Sequence, residues 1–311
     1  MTRGPILVYH PEEVEAYARL IRAPRGATIH LCDKPDAAAY AIGETEILYA
    51  WGFPAHLLAR APRLRWIQVM GAGVDGFLVP DLPAEVVVTR APVFGAWMVE
   101  YVLGWCAWVT QKMETYRAAQ REHRWIDAVP ERLRGRTLAM VGLGDIGRAV
   151  ARAARSLGMR VVGVSRSGRP VAHVERVYPV ARLTRALAAA DFAVVAVPLT
   201  RDTRGLIGAR ELAALRPGAW LVNIARGPIV EEAALLEALR ARRIAGAILD
   251  VFDEEPLPAA HPLWDFPNVV LTPHVSGPST PDEIAPIFNE NLRRYAAGGR
   301  LAHVVDRGEG Y

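Results

Sequence analysis

The chain has 311 residues, 51% of them hydrophobic and 23% charged, which is enough apolar material for two domains or one large one. Every apolar run falls short of the ~20 residues that a membrane-spanning helix needs, and the N-terminal run passes directly into charge, which favours a first strand over a signal peptide. The net charge of +4 comes from scattered basic residues, and Cys32 and Cys106 have no metal-ligand or redox spacing, so we expect a reduced, cytoplasmic protein without a nucleic-acid, membrane or metal site.

Short apolar runs alternate with helical patterns along the chain. Predicted strands in the first part are ILVY (6–9), ATIHL (27–31), EILYA (46–50), LRWIQV (64–69) and VVVT (86–89), with helical patterns at 11–22 and 54–60. One long helical pattern, rich in tryptophan and methionine, follows from Ala96 to Glu122. Predicted strands in the second part are TLAMVG (137–142), RVVGVS (160–165), FAVVAVP (192–198), AWLVNIA (219–225), AGAILDVF (245–252) and NVVLTP (268–273). Strands that are apolar throughout are typical of parallel sheets covered by helices, so we predict two α/β units, each a doubly wound sheet.

A glycine-rich turn, VGLGDIG, lies between the strand TLAM and a helical pattern, and it places Gly142, Gly144 and Gly147 in G-x-G-x-x-G spacing. In this spacing the first glycine permits a tight turn and the second lets a pyrophosphate approach the backbone. The third lets helix and strand pack closely. The amides and the dipole at the start of the helix favour an anion, so the turn predicts dinucleotide binding.

The next strand, RVVGV, ends in Ser165, Arg166 and Ser167, where an NAD site would have a carboxylate for the ribose. Two hydroxyls and a guanidinium suit the 2′-phosphate of NADP, because arginine binds phosphate by two parallel hydrogen bonds. We therefore predict NADP(H) as the preferred cofactor, with NAD(H) as a second one. An ordinary polar turn is the alternative interpretation of these three residues.

Candidate catalytic residues follow three later strands. Arg226, in NIARGPIV, could bind a carboxylate at a strand end, although a solvated arginine would look the same. Asp250 and Glu255 lie in LDVFDEEPLP, an acidic run that could be only a solvated loop. His274, in LTPHVSG, lies at the end of an apolar strand, where the plain alternative is a strand that simply terminates. A carboxylate beside it would fix its tautomer and stabilise its protonated form, so we interpret His274 as an acid/base group.

A second glycine-rich turn, VMGAGVDGF (69–77), follows a strand of the first part. Its clustered backbone amides could bind an anion. A flexible turn explains this stretch equally well, and the residues alone leave the two interpretations open.

In this order along one chain, GAGVD, GLGDIG, VPLTRDT, NIARGPIV, LDVFDEEPLP and LTPHVSG resemble the motifs of the D-2-hydroxyacid dehydrogenase family over nearly the full length. YHP near the start, the SRS turn, PLW at 262–264 and the ending VVDRGEGY are most similar to its bacterial glyoxylate/hydroxypyruvate reductase A subgroup. The resemblance implies two Rossmann-like domains. One is a discontinuous substrate domain, residues 1–97 and 279–311, with a flavodoxin-like sheet, and the other is a dinucleotide-binding domain, residues 98–278. It also implies a homodimer supported by the long helix near 96–120, in keeping with the aromatic load of the segment 96–125.

Carried over residue by residue, the resemblance implies a complete site. Arg226 is the substrate clamp, His274 the acid/base and Glu255 its partner, while Asp250 contacts the nicotinamide carboxamide. The other cofactor-binding residues are Gly142, Gly144, Asp145, Ile146, Gly147, Ser165, Arg166, Ser167, Val197, Pro198, Thr203, Ile224, Ala225 and Gly277. The substrate contacts, besides Arg226 and His274, are Trp51, Ala72, Gly73 and Val74.

The implied activity is the NADPH-dependent reduction of a small 2-keto acid, glyoxylate or hydroxypyruvate, to the D-2-hydroxy acid, without a metal ion. One alternative is a dehydrogenase of the same family with another substrate, such as formate, phosphite or an aryl-pyruvate. The other is an NAD(P)-sensing binding protein with this fold and no turnover. The set of Arg226, Glu255 and His274 argues against a sensor, which needs no acid/base group.

Overall fold

The computed structural model describes residues 4–311. Residues 1–3, which begin the N-terminal run interpreted above, lie outside the described part. The chain forms two compact units, the first of residues up to Phe94 together with Ser279–Tyr311, and the second of Gly95–Pro278. The boundary that the resemblance implies, between residues 97 and 98, falls inside the helix that begins at Gly95. No helix within residues 4–311 is long and apolar enough to cross a membrane.

The first unit is built on a sheet of five parallel strands. These are β1 (Ile6–Tyr9), β2 (Ile29–Cys32), β3 (Ile47–Ala50), β4 (Trp66–Val69) and β5 (Val87–Thr89), in the spatial order β2-β1-β3-β4-β5. α1 (Val14–Arg19), α2 (Pro35–Ala41) and two short 3₁₀ helices, Ile42–Glu44 and Ala55–Arg60, connect them. β1, β3 and β4 are buried along their whole length, and apart from Gln68 in β4 their residues are apolar on both faces of the sheet.

The second unit contains a sheet of seven parallel strands with helices between them. The strands are β6 (Thr137–Val141), β7 (Arg160–Ser165), β8 (Arg176–Pro179), β9 (Phe192–Val195), β10 (Trp220–Asn223), β11 (Gly246–Leu249) and β12 (Val269–Leu271). The helices are α3 (Gly95–Thr110), α4 (Met113–Arg121), α5 (Asp145–Ser156), α6 (Leu183–Leu187), α7 (Ala209–Ala214) and α8 (Glu232–Arg240). The last helix, α9 (Pro281–Ala296), belongs to the first unit. These two parallel-sheet units confirm the predicted α/β fold class.

Two elements of the second unit differ from the sequence-based prediction. β8 was not predicted, because RVYP is a short edge strand whose residues are half-buried or exposed and so lack an apolar run. The helix predicted from 96 to 122 is two helices, separated by Gln111 and by Lys112, whose φ is +53°. The break is tertiary in origin, because the segment after α4 returns to the end of α3. There Glu131 N–H donates to the Thr110 carbonyl at 2.8 Å, and Gln111 Nε2 donates to the Glu131 carbonyl at 2.8 Å.

The strand order of the second sheet, β12-β11-β10-β9-β6-β7-β8, reverses between β9 and β6. Ligands of open α/β sheets bind outside the carboxyl ends of the strands at such a reversal. Since all the strands are parallel, the turns after β6, β7, β9, β10, β11 and β12 lie along this one edge. The predicted cofactor and catalytic residues of this unit lie in or beside these six turns.

Candidate active site

The glycine-rich turn between β6 and α5 has no space for a side chain at two of its glycines and an open face at the third. Gly142 has φ +101°, and a Cβ there would lie 2.3 Å from the Ala196 carbonyl oxygen. A Cβ at Gly147 would lie 2.0 Å from the Gly142 carbonyl oxygen. Around Gly144, by contrast, a Cβ would meet no atom of residues 4–311 within 4 Å beyond its own chain neighbours. Because α5 begins at Asp145, the open face at Gly144 lies at a helix N-terminus and fits a pyrophosphate.

The turn after β7 carries the three residues predicted to choose the cofactor. The Ser165 hydroxyl accepts Gly168 N–H at 3.2 Å, and the Ser167 hydroxyl accepts Arg169 N–H at 3.3 Å. Ser165 is half-buried, whereas Arg166 and Ser167 are exposed. The two serines therefore shape the turn with their oxygen lone pairs, and these two bonds leave their own O–H groups to donate to an anion.

Arg226 follows β10 in a turn held by a buried amide. Asn223 is 1% exposed; its Nδ2 donates to the Arg226 carbonyl at 3.0 Å and its Oδ1 accepts Ala225 N–H at 3.1 Å. The half-buried Arg226 side chain donates from Nη1 to the Ala225 carbonyl at 2.8 Å. A Cβ at Gly227 would lie 2.0 Å from the carbonyl carbon of Phe252. The Asn223 amide thus fixes the Arg226 turn, and the backbone of this turn packs against the backbone of the turn after β11.

His274 and Glu255, 19 positions apart in sequence, are joined by a hydrogen bond of 2.8 Å between Nδ1 and Oε2. The other carboxylate oxygen of Glu255 accepts Phe252 N–H at 2.9 Å, which fixes the carboxylate. A ring nitrogen facing a carboxylate carries the hydrogen, so Nε2 is the atom of His274 that can exchange a proton with a ligand. The His274 side chain is 38% exposed, so a small molecule can reach it.

Asp250, immediately after β11, is completely buried and holds the backbone around His274. Its carbonyl accepts His274 N–H at 2.8 Å, its Oδ1 accepts Val275 N–H at 2.8 Å, and its Oδ2 accepts Ser276 N–H at 2.9 Å. Thr272 donates to Oδ1 at 2.6 Å. His274 has φ +55°, in the left-handed region that disfavours a side chain by roughly 1–2 kcal/mol. The three amide bonds to Asp250 offset that strain.

The remaining predicted cofactor residues lie in the turns of the same unit. Thr203 closes the turn after β9, because its hydroxyl donates to the Pro198 carbonyl at 2.6 Å and accepts Thr200 N–H at 2.8 Å. Val197 is half-buried in this turn, as is Gly277 in the turn after β12, whereas Ile224 and Ala225 are buried directly after β10. Asp145 and Ile146 form the first turn of α5.

The predicted substrate contacts Trp51, Ala72, Gly73 and Val74 lie in the first unit, after the neighbouring strands β3 and β4. A Cβ at Gly71 would lie 2.8 Å from Cζ3 of Trp51, so the indole lies directly against the glycine-rich turn. Val74 is buried, whereas Trp51, Ala72 and Gly73 are half-buried. The structure therefore brings these four residues together at one end of the first sheet.

Asn223 and Thr272 support the site and were not predicted from the sequence. Each is a polar residue at or just after the end of an apolar strand, β10 for Asn223 and β12 for Thr272. That position is the signal that could have singled them out, because a buried polar side chain needs partners that a strand interior does not offer.

Residues 104–276, more than half of the chain, match the family described as "D-isomer specific 2-hydroxyacid dehydrogenase, NAD binding domain". The chain belongs to this family. The resemblance inferred from the motifs is therefore confirmed, and the protein is an NAD(P)-dependent oxidoreductase whose substrate is a small keto or hydroxy acid.

Individual relatives agree with the family assignment. A glyoxylate/hydroxypyruvate reductase A from Serratia proteamaculans is 32% identical over 269 residues, which cover 84% of this chain and 86% of the relative. A family member from Aeromonas salmonicida has a solved structure with a TM-score of 0.90 and 37% identity, covering 98% of this chain and 99% of that one. An NADPH-dependent glyoxylate/hydroxypyruvate reductase from Sinorhizobium meliloti, solved with NADP and sulfate, has a TM-score of 0.90 and 32% identity, covering 99% and 100%.

Proposed function

We propose that the protein reduces a small 2-keto acid of the size of glyoxylate or hydroxypyruvate to the D-2-hydroxy acid, with NADPH as the preferred reductant. The observation that carries the proposal is the pair of His274 and Glu255, joined at 2.8 Å on the sheet edge that also carries the open glycine turn. An imidazole held by a fixed carboxylate is suited to give and take one proton during each turnover.

In the proposed mechanism, the glycine turn after β6 and the turn after β7 would hold the cofactor, whose nicotinamide would supply the hydride for C2 of the keto acid. His274 in its protonated form gives the Nε2 proton to the oxygen that becomes the hydroxyl, and in the reverse direction it takes that proton back. Glu255 stabilises the imidazolium by charge and by its bond to Nδ1. A positioned proton donor of this kind contributes typically ~10²–10⁴-fold to the rate.

Arg226 is the proposed clamp for the substrate. Its guanidinium can bind a carboxylate by two parallel hydrogen bonds and can polarise the keto oxygen as negative charge develops there. The buried Asn223 amide fixes the turn that presents it. We also propose that the backbone amides of 72–74 bind an anionic group of the substrate, with Trp51 limiting the space beside them.

For the cofactor, we propose that the turn from Gly142 to Gly147 binds the pyrophosphate and that Ser165, Arg166 and Ser167 bind the 2′-phosphate. The serine O–H groups and the exposed guanidinium are donors, and no carboxylate lies among these three residues to repel a phosphate. The relative from Sinorhizobium meliloti, solved with NADP, supports the same preference. A direct contact of Asp250 with the nicotinamide, which the resemblance implies, would require its completely buried carboxylate to become accessible when the cofactor binds.

The experiment that tests the proposal is a panel of keto acids assayed with NADPH and with NADH. Glyoxylate and hydroxypyruvate should give the highest kcat/KM, and pyruvate and phenylpyruvate should give lower values. NADPH should exceed NADH by at least about tenfold, the value of one charge-assisted bond. A higher kcat/KM with phenylpyruvate would move the substrate assignment to larger keto acids. Binding of NADPH without turnover on any substrate would favour the sensor instead.

We further propose a homodimer formed around the segment 96–125. Trp105 and Trp108 pack against each other, with ring centroids 5.5 Å apart, and Trp108 also contacts Trp220, so these half-buried rings pack within the second unit. Trp97 and Trp125 are exposed, and Trp125 is 94% exposed. An exposed tryptophan beside other apolar side chains is typical of a subunit interface.

A further inference from the structure

Helix α3 places a tyrosine hydroxyl against the turn that carries His274. The oxygen of Tyr101 lies 2.6 Å from Oγ1 of Thr272, two positions before the histidine. Oγ1 of Thr272 in turn lies 2.6 Å from Oδ1 of Asp250. Two short hydrogen bonds therefore link α3 to the buried carboxylate that holds the backbone after His274.

The hydrogens of these bonds have only one consistent order. A carboxylate accepts and does not donate, so the single hydrogen of the Thr272 hydroxyl goes to Asp250. The Thr272 oxygen must then accept from Tyr101, whose hydroxyl is the donor. Both bonds point towards Asp250, and bonds aligned in this way strengthen one another.

Tyr101 is suited to remain the donor in this chain. Burial raises the pKa of its phenol, and the nearby Asp250 charge raises it further. The hydroxyl therefore keeps its proton throughout the neutral range. Because the Thr272 hydrogen is committed to Asp250, Tyr101 stays the donor when His274 gains or loses a proton.

We propose that Tyr101 is a positioning residue for the reaction, which acts through Thr272 and Asp250 to fix the backbone at His274. The inference rests on the proposed function and adds a residue to it. The backbone at His274 is left-handed and is held there by three amide bonds to Asp250. If the Asp250 carboxylate is free to rotate, two of those bonds weaken and the imidazole moves. A displacement of about 1 Å can lower a rate by up to about 10²-fold.

The kinetic test compares four variants with the parent. Tyr101→Phe removes only the hydroxyl, Thr272→Val keeps the shape of the side chain and removes both bonds, and Thr272→Ser keeps both bonds. Tyr295→Phe is the matched control, because its hydroxyl donates to Glu46 at 2.9 Å in the first unit. The first two variants should lose about tenfold in kcat with KM values for keto acid and NADPH within about twofold, because only the transition state needs the aligned imidazole. Thr272→Ser, which restores both bonds, should recover most of the kcat that Thr272→Val loses, and Tyr295→Phe should keep the parent kcat.

A second measurement reads the backbone itself and does not depend on turnover. Hydrogen exchange at the amides of Val275 and Ser276 should become at least about tenfold faster in Tyr101→Phe and Thr272→Val. Each variant loses a hydrogen bond that holds the Asp250 carboxylate, which is the acceptor of both amides. Exchange should stay at the parent rate in Thr272→Ser and Tyr295→Phe. Parent-like exchange in Tyr101→Phe overturns the proposal, and so does a Thr272→Ser variant as impaired as Thr272→Val. If the parent shows no turnover, the proposed function fails and amide exchange still decides the positioning role.

Discussion

At the level of single residues, the sharpest expectation concerns His274. His274→Ala removes the only proton donor that the proposed mechanism assigns, so kcat should fall by ~10²–10⁴-fold. Affinity for NADPH should stay close to that of the parent, because the glycine turn and the serine–arginine turn are unaltered. Stopped-flow turnover and cofactor fluorescence measure the two quantities. His56→Ala, at an exposed histidine of the first unit, is the control; parent-like kcat in His274→Ala would remove this residue from the mechanism.

Glu255 should reveal itself in the rate of turnover. Glu255→Gln keeps a polar group beside His274 but removes the negative charge that faces the imidazole ring. The fixed carboxylate holds the ring with Nε2 towards the substrate, so kcat should fall, while the affinity for NADPH should stay close to that of the parent. Turnover and cofactor fluorescence measure the two quantities, and a parent-like kcat would mean that Glu255 does not act through the histidine.

Arg166 should act on the choice of cofactor and on little else. Arg166→Ala removes one or two charge-assisted bonds of roughly 1.5–3 kcal/mol each, so KM for NADPH should rise by about tenfold or more. The phosphate lies far from the reacting carbon and binds ground and transition states alike, so kcat should stay unchanged. NADH kinetics should be unaffected. Arg182→Ala, at another exposed arginine, serves as control. Equal kcat/KM for the two cofactors in the parent would contradict the assignment.

At the level of elements, apolar runs were sufficient to predict eleven of the twelve strands, because strands buried on both faces carry little else. β8 has no such run, and the break after Thr110 depends on a residue twenty-one positions later, Glu131, whose amide reaches its carbonyl. Neither feature is encoded locally. The candidate site also has parts that the local sequence predicts and parts that it does not. The glycine spacing and the residues at strand ends could be predicted from the sequence. The buried bonds of Asn223 and Thr272 emerged only from the folded contacts.

The start of α1 gives a prediction about stability and pH. His10 Nδ1 accepts the amides of Glu12 at 3.2 Å and Glu13 at 2.9 Å, just before the helix. Burial lowers the pKa of His10, although the charges of Glu13 and Glu12 oppose the shift. The folded state therefore favours the neutral ring. Its contribution to the free energy of unfolding is complete above the unfolded-state pKa of ~6.5 and is lost as pH falls through the lower folded-state value.

The test is a set of urea titrations between pH 5 and 7.5. His10→Asn retains an oxygen that can accept the same amides and does not titrate, so the fall in unfolding free energy below pH ~6.5 should become shallower. His56→Asn should keep the slope of the parent. Identical slopes in the parent and in His10→Asn would show that His10 contributes nothing to the acid sensitivity.

At the level of the whole molecule, the exposed Trp125 should report on the oligomeric state. The parent should be a dimer by light scattering at micromolar concentration, and Trp125→Arg should shift it towards monomer, because a charge at the centre of an apolar contact is desolvated without a partner. Tyr40→Arg is the control, since Tyr40 is 90% exposed and belongs to the first unit, whereas the segment 96–125 belongs to the second. A monomeric parent would rule out the proposed dimer.

The contact at Gly227 has a consequence for how such a chain can be recombined. A Cβ at this position would meet both the carbonyl carbon of Phe252, at 2.0 Å, and the amide nitrogen of Asp253, at 2.3 Å. The backbone of the turn bearing Arg226 therefore packs directly against the backbone of the turn bearing Glu255, and the two turns must match each other in shape. A crossover between two homologues inside α8 would pair a turn from one parent with a turn from the other. Productive chimeras should instead exchange residues 223–255 as one block.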